Sequence, residues 1–189
     1  MDNRSYEVSA IVIKRINYSE ADRIITLFAR ELGKFSVIAK GVRKSSSKRK
    51  GHIELFNHVK AQIIPTQGLH ILTHVEAIEF FADIPSKFPL AQDAFTRINT
   101  AYHLTEIVDR LLPEHQSSPL IFDWLRNAYS HLHTSKPDYV HLHRGFKFKI
   151  LQELGFWPHD QQPPKDIDAY LESVLERPLQ TSALGTHLI

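Results

Sequence analysis

The chain has 189 residues, of which 42% are hydrophobic and 23% are charged, so it can bury a core without cross-links. It contains no cysteine, which excludes disulfides, thiolate metal sites and a cysteine nucleophile. The net charge of +2 is uneven, because residues 1–60 contain 13 Lys and Arg against 6 Asp and Glu, and the rest of the chain contains 10 against 15. The N-terminal third is therefore the part that a polyanion would attract.

Short β-strands are predicted within residues 8–13, 23–30, 33–41, 53–64 and 69–81. Every residue of the segment 8–13 except Ser9 is apolar, and in the last three segments apolar residues alternate with polar ones. The inward faces of the last two are predicted to be Ile53, Leu55, Val59, Ala61 and Ile63, and Leu69, Ile71, Val75 and Ala77. Residues 19–33 could also form a helix, because Ser19 and Asp22 resemble a capping box. A strand is preferred, because a tight turn and another strand follow at once. Five short strands predict a closed barrel of the OB type, with a small antiparallel sandwich as the alternative.

The apolar spacing becomes helical after Pro85. The buried stripe of a first helix is predicted to be Ala91, Ala94, Phe95, Ile98, Ala101, Tyr102, Val108 and Leu112. A second helix is predicted from Ser118 and Pro119, a third over residues 139–154 with Gly155 as its cap, and a weaker fourth over 166–177. The predicted fold class is α+β, with an OB-type barrel in a domain of residues 1–82 and an α-helical domain of residues 86–189.

The segment KGVRKSSSKRKG, residues 40–51, concentrates six cations and three serines in a flexible stretch without an acid. Lysine, arginine and serine side chains are the usual donors to phosphate oxygens, so the segment is predicted to contact a nucleic-acid backbone. Arg15, Arg23 and Lys34 lie in neighbouring elements and would extend the positive surface. Phe35 and Phe56 could stack on bases, although alternation makes Phe35 equally suited to the core. The alternative is a protein-interaction adaptor whose basic loop is only solvated.

Motifs for catalysis are absent from the sequence. Neither a phosphate-binding glycine loop nor a G-x-S-x-G nucleophile turn occurs. The His-Leu-His pairs at 131–133 and 141–143 would diverge on a helix, because residues two apart point about 200° from one another. No catalytic residue and no metal are expected, and a hydrolase or nuclease is the least favoured function. The sequence shows no signal peptide and no membrane span, so a cytoplasmic protein is expected.

Three stretches carry a resemblance to a known family. INYSEADRIITLFARELGKFSVIAKGVRKS (residues 16–45) is similar to the N-terminal signature of the bacterial recombination mediator RecO family. It has a tyrosine followed by two acids, a Gly-Lys hairpin and a strand ending in Ala-Lys-Gly-x-Arg-Lys. LHILTHVEAIEFF (residues 69–81) and HRGFKFKILQELGFWP (residues 143–158) extend the resemblance.

The resemblance implies an OB domain joined to a helical domain, without catalysis and without a nucleotide or other cofactor. It implies binding of single- and double-stranded DNA, annealing of complementary strands covered by single-strand-binding protein, and loading of the RecA recombinase together with RecR. It places the DNA-contacting cations at Arg15, Arg23, Lys34, Lys40, Arg43, Lys44, Lys48, Arg49 and Lys50. Many family members carry a four-cysteine zinc module where this chain reads HDQQPPKDIDAY, so no zinc is expected in the helical domain.

The predicted third helix carries a second, mixed stripe of Arg144, Lys147, Phe148 and Leu151. Cations interleaved with apolar groups suit an acidic peptide with an apolar tip, and the resemblance suggests the C-terminal tail of single-strand-binding protein. The alternative is a helix buried on both sides whose long cations extend to solvent.

Overall fold

The computed structural model describes residues 5–84, 91–134 and 137–181. The chain divides into two compact units, one formed by Met1–Asp83 with Leu112–Arg126 and the other by Ile84–Leu111 with Asn127–Ile189. The first unit contains five strands and the second contains most of the helical residues. The domain bounds 1–82 and 86–189 stay a prediction.

The five strands of the first unit form a closed barrel. They are β1 (Tyr6–Asn17), β2 (Arg23–Ala29), β3 (Gly33–Ala39), β4 (His58–Ile64) and β5 (His70–Glu79). Their order is β1-β2-β3-β5-β4, with β3 and β5 parallel and the other neighbours antiparallel. This confirms the predicted barrel over the sandwich, and the strand at residues 23–30 over the helix.

Buried aliphatic side chains from every strand fill the barrel, and the segment between β3 and β4 adds Val42 and Ile53, which are also fully buried. The strand predicted to begin at Ile53 begins at His58 instead. The reason is local, because Phe56 has a left-handed φ of +74°, which strand geometry does not allow. Ile53 therefore enters the core from a turn rather than from a strand.

The inward face of β5 also differs from the prediction. Leu72 is buried and Leu69 is exposed, whereas alternation predicted Leu69 to point inward. The pairing of β4 with β5 shifts register here, since Gln62 pairs with His74 while Ile63 pairs with Leu72. A bulge of this kind moves side chains to the opposite face on one side of it.

The turn between β2 and β3 receives residues 112–117, which belong to the same unit. The amide of His115 donates to the carbonyl of Lys34 at 2.8 Å, and the Ser117 hydroxyl donates to the carbonyl of Arg30 at 3.2 Å. Gly33 has a φ of +73°, and a Cβ at this position would lie 2.1 Å from the Gln116 carbonyl oxygen. Only glycine allows both this backbone conformation and this close approach.

Four helices are described: α1 (Ala91–Leu111), α2 (Pro119–Thr134), α3 (Tyr139–Glu153) and α4 (Ile167–Leu175). The predicted starts at Pro119 and Tyr139 are confirmed, and Gly155 follows α3 with a φ of +77°. The core of the second unit is aliphatic and contains the fully buried Leu104, Ile107, Val108, Leu132, Ile150, Leu151 and Leu171. In the described part of the chain, no helix is both long and apolar enough to cross a membrane.

The buried face of α1 is rotated from the predicted stripe. Phe95 and Tyr102 are exposed, while Arg97 is 2% exposed. The Arg97 guanidinium donates to Asp93 and to the carbonyl of Leu132, each at 2.7 Å. Because these partners satisfy its charge and donors, arginine can occupy a position that an apolar pattern assigns to hydrophobic residues.

Candidate nucleic-acid interface

The basic loop, residues 40–51, connects β3 towards β4 as a series of turns fixed to the barrel. Val42 anchors it in the core. The Gly41 amide donates to the Asp22 carboxylate at 2.8 Å, and the Arg43 amide donates to the Ala21 carbonyl at 2.9 Å. These contacts tie the loop to the turn between β1 and β2. The flexible stretch expected from its serines and glycines is therefore an anchored loop.

Asn57 fixes the far end of the basic loop. Its side chain is fully buried, and its amide nitrogen donates to the carbonyls of Gly51 and His52 at 3.1 and 3.2 Å. Its carbonyl oxygen accepts from the amides of Phe81 and Ala82 at 2.9 and 3.0 Å. One side chain thus joins the loop to the residues that follow β5.

Arg49 links the basic loop to its own first residue and to β5. Its guanidinium donates to the carbonyls of Leu72 and Thr73 at 3.2 and 3.3 Å, and to the carbonyl of Lys40 at 2.6 Å. These bonds use at most three of the five N–H donors of the guanidinium, and its positive charge remains. Arg49 therefore holds the loop in shape.

Arg15 and Arg23 meet at Glu54, which follows the basic loop. Arg15 forms an ion pair with the Glu54 carboxylate, and Arg23 approaches the same carboxylate at 3.5 Å. Arg23 also donates to the side chain of Asn17 at 3.1 Å. The carboxylate partly neutralises both cations, so they contribute less to an outer surface than the sequence predicted.

The other cations of the basic loop are exposed to solvent: Lys40, Arg43, Lys44, Lys48 and Lys50. We call these five residues, together with Arg15, Arg23 and Arg49, the basic face. Residues 15–23 and 40–54, which carry it, contain eight cations against Glu20, Asp22 and Glu54, a net charge of +5. The structure thus brings together eight of the nine cations predicted to contact DNA.

Lys34 does not belong to the basic face. It lies near the start of β3, six residues before Lys40, which corresponds to about 20 Å along a strand. It is 8% exposed, and its backbone pairs with residues 114 and 115. The expectation that Lys34 extends the loop's surface is therefore wrong, because the two ends of β3 lie at opposite ends of the barrel.

The aromatic side chains proposed for base stacking are not accessible. Phe35 and Phe56 are each 2% exposed. The interpretation of Phe35 as a core residue is correct, and Phe56 is buried by the left-handed turn before β4. An aromatic side chain beside the basic face that is open to solvent is Tyr18, in the turn between β1 and β2. The sequence signal for it is a large aromatic residue within the otherwise polar turn NYSEAD.

A chain of hydrogen bonds in the first unit contains the residue types of a hydrolytic triad. The Ser9 hydroxyl lies 2.8 Å from His58 Nε2, and His58 Nδ1 lies 2.7 Å from a Glu79 carboxylate oxygen. Arg126 also donates to both oxygens of Glu79, at 2.5 and 2.9 Å. His58 is 8% exposed, and its ring packs edge-on against Phe122. A catalytic histidine must reach its substrate, so we assign this relay to holding β1, β4 and β5 together.

Glu79 gives the relay a pH dependence. Burial raises the pKa of the Glu79 carboxyl, but hydrogen bonds from Arg126 and His58 outweigh it, so the pKa lies below its ordinary value. Because the pKa of Glu79 is lower in the folded state, its carboxylate stabilises the fold at pH values above the ordinary pKa of 4.5. This stabilisation is lost as the pH falls through the folded-state pKa. We expect Glu79→Gln to lower the free energy of unfolding by about 2 kcal/mol near neutral pH.

Urea denaturation of both proteins between about pH 3 and pH 7 measures this difference. It should shrink as the pH falls below the ordinary pKa of a glutamate, because the wild-type carboxylate becomes protonated. Glu76→Gln, on the exposed face of the same strand, is the matched control and should change stability by less than about 0.5 kcal/mol. A difference between wild type and Glu79→Gln that is the same at every pH would show that the ionised relay does not stabilise the barrel.

The mixed stripe on α3 is not a single open surface. Lys147 and Leu151 are buried, and Lys147 forms an ion pair with Asp168 of α4. Arg144 is exposed, and Phe148 is half-buried. The peptide site stays a prediction, and only Arg144 and Phe148 are open to direct contact. Among residues 5–84, 91–134 and 137–181, no three metal-binding side chains form a group.

These features define the class of protein. It is a small OB-type barrel followed by helices, with a basic loop fixed at one end of the barrel. Comparison with known families gives the particular family. The model described as "Recombination protein O N terminal" matches residues 1–81, and the model described as "Recombination protein O C terminal" matches residues 92–162. The chain belongs to the RecO family of DNA repair proteins, as its resemblance suggested.

Relatives named "DNA repair protein RecO" agree with this assignment. The protein of Symbiobacterium thermophilum is 33% identical over 153 residues, which cover 81% of this chain and 58% of the relative. That of Roseiflexus sp. is 32% identical over 158 residues, covering 84% of this chain and 53% of the relative. The protein of Heliobacterium modesticaldum is 33% identical over 155 residues, which cover 82% of this chain and 53% of the relative. The chain thus spans only somewhat more than half the length of these relatives.

Proposed function

We propose that this chain is a non-catalytic DNA-binding mediator of recombinational repair that holds DNA backbones on its basic face. The observation that carries the proposal is the set of five exposed cations, Lys40, Arg43, Lys44, Lys48 and Lys50, on a loop fixed to the barrel. A fixed loop presents its cations without the entropy cost of ordering a mobile segment on binding. Residues 15–23 and 40–54 have a net charge of +5, and this positive charge attracts phosphates.

Annealing of complementary strands follows from the same chemistry. Contacts to phosphates position a strand but carry no sequence information, so the base edges stay available for pairing. Cations between two strands also reduce the repulsion of their backbones. Neither effect requires a nucleotide, a metal or a covalent intermediate. We propose that the chain anneals single strands in this way, binds double strands through the same phosphates, and acts in the cytoplasm.

The family assignment supports a further part of the proposal. We propose that the chain works with RecR to load RecA on DNA covered by single-strand-binding protein. The tail of that protein would be recognised through Arg144 and Phe148, the accessible residues of the mixed stripe on α3. A cation beside an apolar ring suits an acidic peptide with an apolar end.

The salt dependence of DNA binding tests the proposed function. Five exposed cations predict a slope of log affinity against log salt of about −3.5 for single strands and about −4.5 for duplexes. Affinity for a fluorescent single strand, measured by anisotropy, should therefore fall about 100-fold between about 50 and about 200 mM salt. The same preparation should anneal complementary strands without ATP or metal. Absence of binding at low salt would overturn the proposal and favour the adaptor with a solvated loop.

A further inference from the structure

Tyr18 is an exposed aromatic side chain in the turn that the basic loop contacts, and the phosphate contacts of the proposed function do not use it. It lies in the turn between β1 and β2 and is 61% exposed. Ile16, two residues earlier and near the end of β1, is 50% exposed. Both side chains leave apolar surface in contact with water. Packing within the first unit does not explain why such residues stand at these positions.

The turn that carries Tyr18 is fixed at several points. The Tyr18 amide donates to the Asp22 carbonyl at 3.1 Å, and the Asp22 amide donates to the Ser19 hydroxyl at 3.2 Å. The Asp22 carboxylate accepts from the Gly41 amide of the basic loop. The backbone of Tyr18 is therefore held relative to the cations, and its ring has only two side-chain torsions to order on binding.

Two guanidinium groups flank Tyr18. Arg23 donates to the side chain of Asn17, and Arg43 donates to the carbonyl of Ser19, so each chain neighbour of Tyr18 contacts an arginine. Arg43 contacts the residue next to Tyr18 in the chain, so a phosphate bound by Arg43 would lie close to the turn that carries Tyr18. An exposed aromatic ring among cations is the arrangement with which proteins hold unpaired bases.

We propose that Tyr18 is a stacking platform for an unpaired base of a single strand whose phosphates lie on the basic face. The inference rests on the proposed function and adds a preference to it. Bases in a duplex are already stacked on their neighbours, so the platform favours single strands over double strands. Stacking is tolerant of sequence, because every base presents a flat face, and this matches a protein that must leave base edges free for annealing.

The test compares a normal oligonucleotide with one of the same length in which abasic sites replace the bases while the phosphates remain. Wild-type protein should bind the normal strand about tenfold more tightly than the abasic strand. Tyr18→Ala should remove this difference by weakening binding of the normal strand alone, and the salt slope should stay unchanged. Tyr18→Phe should keep the difference, because stacking needs the ring and not the hydroxyl.

Tyr102→Ala is the matched control, because Tyr102 is also exposed but lies on α1 in the second unit. It should bind both oligonucleotides as the wild type does. If Tyr18→Ala still distinguishes the two strands, or weakens binding of the abasic strand and of a duplex to the same degree, the stacking role is wrong. Wild-type binding with the expected salt slope but no preference for bases would overturn this inference and leave the proposed function standing.

Discussion

Replacing Lys44, Lys48 and Lys50 with glutamate is expected to lower the affinity for single-stranded DNA about a thousandfold at about 100 mM salt. All three side chains are exposed on the basic loop. The change removes three of the five accessible phosphate contacts and places three carboxylates where phosphates would lie. Counterion release is lost at each position, and like-charge repulsion adds to the loss.

Arg49 is left unchanged in this variant for a structural reason. Its guanidinium holds the carbonyls of Lys40, Leu72 and Thr73, so reversing its charge would unfix the loop as well as remove a cation. The three lysines lie within the same loop but are exposed, and substitutions at exposed positions usually change stability by less than about 0.5 kcal/mol. Loss of binding in the triple variant can thus be attributed to charge.

A matched control changes the net charge equally at another place. Lys149, Lys165 and Arg177 are exposed residues of the second unit, and replacing all three with glutamate also removes six units of positive charge. None of these three residues belongs to the basic face, so only the overall charge changes and we expect less than about a fivefold loss. Anisotropy with a labelled oligonucleotide measures both variants. Equal losses would mean that only overall charge matters, and undiminished binding in the first variant would remove the basic face from the proposal.

The barrel and the basic loop could be predicted because both depend on patterns of residues close together in the sequence. Alternation with period two marks residues 33–41, 53–64 and 69–81, a short apolar run marks residues 8–13, and a run of cations without an acid is visible in the sequence. The turn chemistry at Gly33 likewise gave the hairpin between β2 and β3. Alternation left Phe35 open to base stacking but made it at least as suited to the core, and its burial confirms the core position.

The sequence could not show which cations are exposed and which are bound within the protein, because this depends on residues far away in the sequence. Lys48 and Arg49 are adjacent and look equivalent in the sequence, yet Lys48 is exposed and Arg49 is bound to three carbonyls. Two of these, those of Leu72 and Thr73, lie where β5 shifts its register against β4. A bulge leaves backbone groups without ladder partners, and a long guanidinium can satisfy them. The sequence shows the arginine but not the bulge that it serves.

Asn57→Ala is expected to cause the largest loss of stability, about 3 kcal/mol in the free energy of unfolding. The Asn57 side chain is fully buried and bonds to four backbone groups, those of Gly51, His52, Phe81 and Ala82. Alanine removes all four bonds. The bond to the Phe81 amide is buried, the other three are partly buried, and an unsatisfied buried group costs about 1–3 kcal/mol. Gln62→Ala, at an exposed position of β4, is the control and should cost less than about 0.5 kcal/mol.

The same substitution connects the fold to DNA binding, because Gly51 is the last residue of the basic loop. Urea denaturation measures stability, and anisotropy at a temperature where the variant remains folded measures affinity. We expect a loss of affinity of about tenfold, smaller than in the triple charge variant, since the cations remain but the loop is no longer held in place. A folded Asn57→Ala protein that binds DNA as tightly as the wild type would show that the cations act without a fixed loop. Binding would then depend on charge alone, and the Asn57 network would serve only the stability of the barrel.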